Sequence, residues 1–320
     1  MTAVLRLGTR GSALALAQAE DVANAVTAAT GRAVELVRIS TAGDSSAEPL
    51  DRIGGTGVFV GALREALLRG EIDFAVHSLK DLPTQPAPGL VVAAVPQRTD
   101  PRDALVTRGL TLGELRPGSR IGTGSPRRAA QLAALGFGLE VVPIRGNVDT
   151  RLRMVAAGTL DGVVVARAGL LRLGRDEEIS EVIDPLQMLP APGQGALAIE
   201  CREPNDAAAT ELFALLAALE DPDTRAVVDA ERTVLATLEA GCSAPVGALG
   251  EAAEGDEEYE AEIYLRAIVC APDGSHSVKL STTGPLTDAD SLARKLAEEM
   301  LAEGAADLMA ERPPAEREPG

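Results

Sequence analysis

Arginine placement carries the first chemical signal in this sequence. Three junctions hold it: Gly8-Thr9-Arg10-Gly11-Ser12, Gly124-Ser125-Pro126-Arg127-Arg128 and Arg145-Gly146-Asn147-Val148-Asp149-Thr150-Arg151. Each reads as the end of a strand feeding a helix, with Ser125 as an N-cap before Pro126 and Asn147 as a second cap. A helix N-terminus carries partial positive charge, so arginines there are unfavourable by roughly a few tenths of a kcal/mol. A bound anion reverses that sign, because the free backbone N–H groups and the guanidinium forks then share one partner. In open α/β sheets such junctions lie where ligands bind. One junction could serve solubility alone; three together point to a polyanionic ligand.

Two further segments carry reactive groups. His77-Ser78-Leu79-Lys80-Asp81-Leu82-Pro83 follows an apolar run and sets a histidine, a lysine and a carboxylate at a strand end. An Asp-x-Pro segment ordinarily caps a turn. Beside a polyanion site, Asp81 gains a second use as a negative charge that steadies a cationic intermediate. In Glu239-Ala240-Gly241-Cys242-Ser243-Ala244-Pro245, a helix through Val234, Leu235 and Leu238 should end with Gly241 at its C′ position. That leaves Cys242 accessible in a loop. Cys201, after Leu197-Ala198-Ile199, fits the buried small hydrophobe that free cysteines usually are. Cys242 does not, and suggests covalent attachment or nucleophilic chemistry. Gly55-Thr56-Gly57-Val58-Phe59-Val60-Gly61 fails as a dinucleotide loop, since its third glycine comes one position late and no strand immediately precedes it. It reads as a tight loop entering a helix.

These residues need a scaffold, and the hydrophobic pattern supplies one. Strands are expected at Val4–Leu7, Val34–Ile39, Asp73–Val76, Leu90–Val95, Leu139–Ile144 and Gly162–Ala166. Helices are expected over Ser12–Thr30 and Val58–Arg69, from Pro126, and after Asn147. Val163-Val164-Val165-Ala166 is apolar without alternation, as in a strand covered on both faces of a parallel sheet. Strands alternating with helices indicate an α/β fold. From Tyr259 onward, Ala261, Ile263, Leu265, Ala267 and Val269 alternate with polar positions such as Glu260, Glu262 and Arg266. This marks an antiparallel sheet with one wet face, its dry face covered by a last helix around Leu292, Leu296, Met300, Leu301 and Leu308.

Composition narrows the class. The 320 residues suffice for more than one domain, and a net charge of -18 argues against nucleic acid and anionic membranes as partners. Only Lys80, Lys279 and Lys295 are lysines, so 30 - 3 = 27 basic residues are arginines. Two histidines and three widely spaced cysteines give neither a multi-histidine metal site nor a disulfide framework. No apolar run is long enough to span a bilayer and no export signal opens the chain, so a cytoplasmic location is expected.

The motifs together, with Pro192-Gly193-Gln194-Gly195-Ala196 and Gly122-Thr123, resemble the porphobilinogen deaminases, also called hydroxymethylbilane synthases, in order from about Leu5 to Leu308. The resemblance implies two lobes of the type II periplasmic-binding-protein kind plus a small C-terminal α+β domain. It places the first lobe at residues 1–96 and 196–216, the second at 99–193 and the third domain at 219–312; the Pro-rich, charged residues 313–320 read as a disordered tail. It implies a dipyrromethane cofactor held by a thioether to Cys242, onto which four porphobilinogens are joined head to tail with loss of ammonia. Hydrolysis then frees the linear tetrapyrrole of haem biosynthesis. Asp81 is the implied catalytic residue, acting on an azafulvene-like cation. Arg10, Ser12, Lys80, Ser125, Arg127, Arg128, Arg145, Asn147, Arg151 and Arg172 match positions that bind cofactor and substrate carboxylates. Gln18, Asp44, His77, Thr123 and Gln194 are second-rank candidates. A monomer without metal is the family expectation. Two departures stand out: Thr56 and Gly61 replace lysines of many relatives.

A solute-binding protein of the same two-lobed fold would explain the arginines but neither Asp81 nor Cys242. A cysteine-nucleophile acyltransferase is weaker, because neither histidine is an evident base for Cys242.

Overall fold

The computed structural model describes residues 4–39, 57–241, 244–255 and 260–310. Asp44, Thr56, Cys242 and the tail at 313–320 lie outside the described residues.

The first sheet is built on β1 (Leu5–Thr9), β2 (Val34–Arg38), β3 (Phe74–Ser78) and β4 (Leu90–Ala94), with β10 (Leu197–Arg202) inserted from far along the chain. Its order is β2-β1-β3-β10-β4. Helix α1 (Ala13–Thr30) starts where the Ser12 side chain accepts from the Ala15 N–H at 3.2 Å. It stops at Gly31, whose φ of 68° turns the chain out of the helix. This helix covers one face, over Leu7, Phe74, Val76 and Ile199. Helix α2 (Gly57–Leu68) supplies Leu63 and Leu67 over Ile72 and Ala75 on the other.

The second sheet repeats the plan with β5 (Asp103–Thr107), β6 (Arg120–Thr123), β7 (Glu140–Pro143), β8 (Gly162–Ala166) and β9 (Glu181–Val182), in the order β7-β6-β8-β5-β9. Helices α3 (Pro126–Ala134), α4 (Val148–Ala156) and α5 (Arg167–Arg172) follow β6, β7 and β8. Each of the two sheets has one strand that runs against its neighbours: β10 is antiparallel to β3 and β4, and β5 to β8 and β9. The expectation of a parallel sheet around Val163–Ala166 is therefore corrected to a mixed sheet. Burial on both faces makes a strand uniformly apolar whichever way its neighbours run, so the pattern carried no direction.

The chain passes from the first sheet to the second between β4 and β5 and returns between β9 and β10. The two crossings touch: Thr99 N–H reaches Gly195 O at 3.4 Å, and Arg98 Nε donates to Gln194 O at 2.7 Å. Gly195 has a φ of 90°, and a Cβ there would stand 2.3 Å from Thr99 O. Only glycine fits.

The C-terminal part is a meander of β11 (Val246–Glu254), β12 (Ala261–Cys270) and β13 (Ser277–Pro285). Helix α6 (Ala207–Ala217) leads from the first sheet to α7 (Pro222–Thr237), which lies on the meander with α8 (Ala289–Ala302) and α9 (Ala305–Ala310). Ile263, Leu265, Ala267 and Val269 are wholly buried, as the alternation predicts, and Leu292, Leu296, Met300, Leu301 and Leu308 cover them. The opposite face is not wet throughout. Leu249, Ile268 and Cys270 pack on Ala130 and Leu189 of the second-sheet unit.

A further difference concerns the end of α7. Glu239, with a φ of 51°, takes the left-handed position expected of Gly241. Ala240 N–H bonds Leu235 O at 3.1 Å and Glu239 N–H bonds Ala236 O at 3.0 Å, a Schellman ending with glutamate at C′.

Candidate functional site

The centre of the cleft is a buried charge cluster that opens from Asp103 at the start of β5. Asp103 is wholly buried and takes Arg127 Nη1 on one oxygen and Arg128 Nε and Nη2 on the other, at 2.8–3.0 Å. Burial alone would raise its pKa, but the two guanidinium groups override that and hold the carboxyl well below the usual range. Arg127 and Arg128 start α3 behind the Ser125 cap, whose Oγ accepts from Arg128 N–H at 3.4 Å. The Ser125 N–H in turn donates to Thr123 Oγ1 at 3.2 Å, which is how Thr123 enters the site.

Gln194 connects this cluster to the first sheet. Its Nε2 donates to Asp103 Oδ1 at 2.8 Å and to Pro101 O at 2.7 Å. Its Oε1 receives Lys80 Nζ and Arg128 Nη2, both at 3.3 Å. Lys80 lies in the single turn Leu79–Asp81 that closes β3. Burial pushes its ammonium down to about 8; Asp81 works in the opposite direction and Arg128 in the same one. Asp81 is half-buried beside it, and among the described residues no hydrogen bond or ion pair engages its carboxylate.

The remaining arginines lie on the neighbouring junctions and helices. Arg151 of α4 donates Nε to Gly146 O at 2.9 Å, and its Nη2 lies against Gly124. Burial, then the neighbouring Arg128 and Arg145, lowers it to about 10. Arg145 is exposed on the β7–α4 junction, and Asn147 caps α4 by accepting from Thr150 N–H at 2.9 Å. Arg172 of α5 reaches Gly195 O at 2.8 Å and Thr99 Oγ1 at 3.1 Å. Arg10 is half-buried at the end of β1, and Ser12 caps α1. Gln18 Nε2 donates to Ser78 Oγ at 2.9 Å, tying α1 to the strand end that precedes Lys80.

His77 is placed elsewhere. It points to the α2 side of the first sheet, where its Nε2 lies 3.2 Å from Glu200 Oε2 and Arg64 holds the same carboxylate. A candidate of the cleft on sequence, it is a member of a buried His–Glu–Arg cluster. The reason is period: in β3, Ser78 and His77 face opposite sides of the sheet. Asp44 and Cys242 lie outside the described residues.

Sequence reasoning missed four residues that organise the site: Asp103, Arg98, Glu231 and Arg232. Asp103 could have been suspected as a carboxylate opening an apolar run, Asp103–Val106. Nothing in the local pattern marks Arg98, Glu231 or Arg232, which act across long sequence separations.

The cluster has excess positive charge toward the cleft. Arg128 and Arg145 destabilise the charged form of Arg151, and the buried Nε of Arg127 has no acceptor. A group bearing several carboxylates fits such a surface, and the acetate and propionate arms of a dipyrromethane are of that kind.

The comparisons agree with this chemistry. Residues 5–211 match the family model described as porphobilinogen deaminase, dipyromethane cofactor binding domain, and residues 226–302 match porphobilinogen deaminase, C-terminal domain. Porphobilinogen deaminase 1 of Streptomyces coelicolor is 58% identical over 317 residues, which covers 96% of this chain and 98% of that protein. Porphobilinogen deaminase of Mycobacterium avium is 55% identical over 311 residues, covering 96% of each chain. Among solved structures, a periplasmic substrate-binding protein of an ABC transporter from Coxiella burnetii is similar at a TM-score of 0.42 and 16% identity, covering 66% of this chain and 91% of that one. The chain belongs to the porphobilinogen deaminase family, the hydroxymethylbilane synthases that carry a dipyrromethane cofactor.

Proposed function

We propose that this cleft performs the family's reaction, joining four porphobilinogens head to tail, with Asp81 as its catalytic carboxylate. The observation that carries the assignment is Asp81 itself: a half-buried carboxylate that makes no hydrogen bond or salt bridge among the described residues and stands next to Lys80, which itself feels Arg127 and Arg128. Loss of ammonia from the substrate's aminomethyl group leaves positive charge shared with the pyrrole nitrogen. Asp81 accepts the pyrrole N–H and stabilises that charge, and its fixed place in the turn means that no reorganisation is needed as charge develops. Arg10, Arg145, Arg151 and Arg172 take the acetate and propionate carboxylates, with Ser12, Ser125 and Asn147 keeping the helix N-termini in place. Arg127 and Arg128 are engaged by Asp103 and by the carbonyls of Leu189 and Val164, so their main duty is to hold the cleft's positive potential in position. Lys80 would hold carboxylates of the dipyrromethane, which when bound supplies the pyrrole carbon that is extended. Cys242 is the proposed thioether position, on the third of three domains divided at residues 1–96 with 196–216, 99–193 and 219–312.

The net charge of -18 supports a partner that is neither nucleic acid nor membrane, and among the described residues no helix is long and apolar enough to cross a bilayer. A cytoplasmic monomer is the reading that accompanies this. The test is intact-mass spectrometry of the purified protein with and without porphobilinogen. A mass excess of two linked pyrrole units on the Cys242 peptide, lost in Cys242→Ser, is expected. Fully active enzyme with unmodified Cys242 would overturn the attachment. Binding of porphobilinogen without ammonia release would favour a solute-binding protein.

A further inference from the structure

Arg232, on α7, has no place in the reaction as described, yet it grips the segment that carries Lys80 and Asp81. Its Nη1 donates to Leu82 O at 2.9 Å and, more weakly, to Leu79 O at 3.3 Å, and its Nη2 donates to Pro83 O at 2.8 Å. These carbonyls bracket the Lys80-Asp81 pair on both sides. The turn itself is closed by Leu82 N–H bonding Leu79 O at 3.1 Å and tied to the residue before β10 by Leu79 N–H bonding Ala196 O at 3.0 Å, with Leu79 and Leu82 buried beneath it. A single 3₁₀ turn has few backbone bonds of its own, and the planar guanidinium adds a fork to the carbonyls on either side of the Lys80-Asp81 pair.

The adjacent residue extends the contact. Glu231 is wholly buried and accepts from Gly193 N–H at 2.7 Å, next to the Gln194 that receives Lys80. One turn of α7 therefore fixes both the Asp81 segment and the loop behind Lys80. The same helix leads through the Glu239 turn toward Cys242.

We infer that Arg232 is a positioning residue for Asp81: it holds the turn that carries the carboxylate against α7. The inference rests on the catalytic role proposed for Asp81. It assigns to Arg232 no contact with substrate. A carboxylate displaced by about 1 Å loses roughly 10²-fold in rate, and in enzyme already loaded with cofactor the loss falls on kcat because the arginines proposed to take substrate carboxylates lie outside this turn.

The experiment is a double-mutant cycle on the full-length, cofactor-loaded enzyme with Arg232→Gln, Asp81→Asn and the pair, measuring kcat and KM. Amide hydrogen exchange over residues 79–83 is read in parallel. Arg232→Gln is expected to lower kcat by roughly 10²-fold with KM within about threefold, to speed exchange in the turn, and to add almost nothing in the Asp81→Asn background. Arg232→Lys, which offers one point charge to carbonyls that a fork had bridged, should fall between wild type and Arg232→Gln. It also serves if Arg232→Gln does not fold. Normal kcat in the Arg232 variants, a loss confined to KM, or full additivity with Asp81→Asn would overturn the inference alone. Normal turnover of Asp81→Asn would overturn the role of Asp81, and this inference with it.

Discussion

At the scale of the residue, the two charges of the turn after β3, Asp81 and Lys80, each have a measurable consequence. Asp81→Asn keeps the size of the side chain and removes its charge. A preorganised group of this kind contributes about 10²–10³ in rate, so kcat is expected to fall at least that far in a protein that still folds and loads cofactor. Lys80 predicts a pH dependence. Its pKa is depressed from 10.5 to about 8, because burial disfavours the ammonium. Between those values the unfolded chain holds a proton that the folded protein lacks, so stability rises with pH across that window. Below pH 8 the folded state bears the full cost of the buried charge. Carboxylate capture by Lys80 has the opposite trend, since it needs the proton. Cofactor loading of apoprotein should weaken as pH rises through about 8. In Lys80→Arg that limb should disappear, because a guanidinium does not titrate there. Loading that ignores pH from 7 to 9 in the unmodified protein would refute the assignment.

At the scale of the element, the sequence was most legible where local chemistry decides the outcome. Ser12, Ser125 and Asn147 cap α1, α3 and α4 as their types predict, and Gly162–Ala166 is a strand with those limits. It was least legible where partners are far apart in sequence. Nothing in Leu197–Arg202 says that β10 returns to lie between β3 and β4. Nothing near Arg127 and Arg128 says that Asp103, more than twenty positions earlier, will take their charge. The residue types at the arginine junctions and at Asp81 therefore suffice for a chemical expectation, while the framework that holds them is not legible. The end of α7 gives a test at this scale. Glu239 occupies a left-handed position that costs a side-chain-bearing residue roughly 1 kcal/mol relative to glycine. Glu239→Gly should therefore stabilise the protein by about that amount in denaturant titration. Ser125→Ala should destabilise it by about 1 kcal/mol through loss of the α3 cap. A neutral Glu239→Gly would mean that contacts of the glutamate side chain offset the backbone strain.

At the scale of the whole molecule, one junction ties the two crossings between the sheets to α7 and the meander. Arg98 from the first crossing grips Glu231 of α7 through both nitrogens, at 2.7 and 2.9 Å. The same carboxylate accepts from Gly193 N–H in the returning crossing and from Gly250 N–H in β11 at 2.9 Å. All its oxygen capacity is thus spent between units, inside the protein. The pair Arg266–Glu251, whose carboxylate lies on the meander, joins neighbouring strands only and has its glutamate 55% exposed. The two pairs should respond differently to loss of the carboxylate charge. Glu231→Gln leaves Arg98 buried without a counter-ion, which costs about 3–5 kcal/mol. With an unfolding entropy of about 2.1 cal/mol/K per residue, that corresponds to a Tm lower by roughly 4–8 °C for a chain of this length. It should also separate the unfolding of the meander from that of the two sheets, visible as a broadened or split calorimetric transition. Glu251→Gln removes a solvent-screened pair contributing less than about 1 kcal/mol, so Tm should move by no more than roughly 1–2 °C with one sharp transition. Equal, small shifts in both variants would mean that apolar packing of Leu249 and Ile268 on Leu189, and not the buried carboxylate, holds the third unit against the crossings.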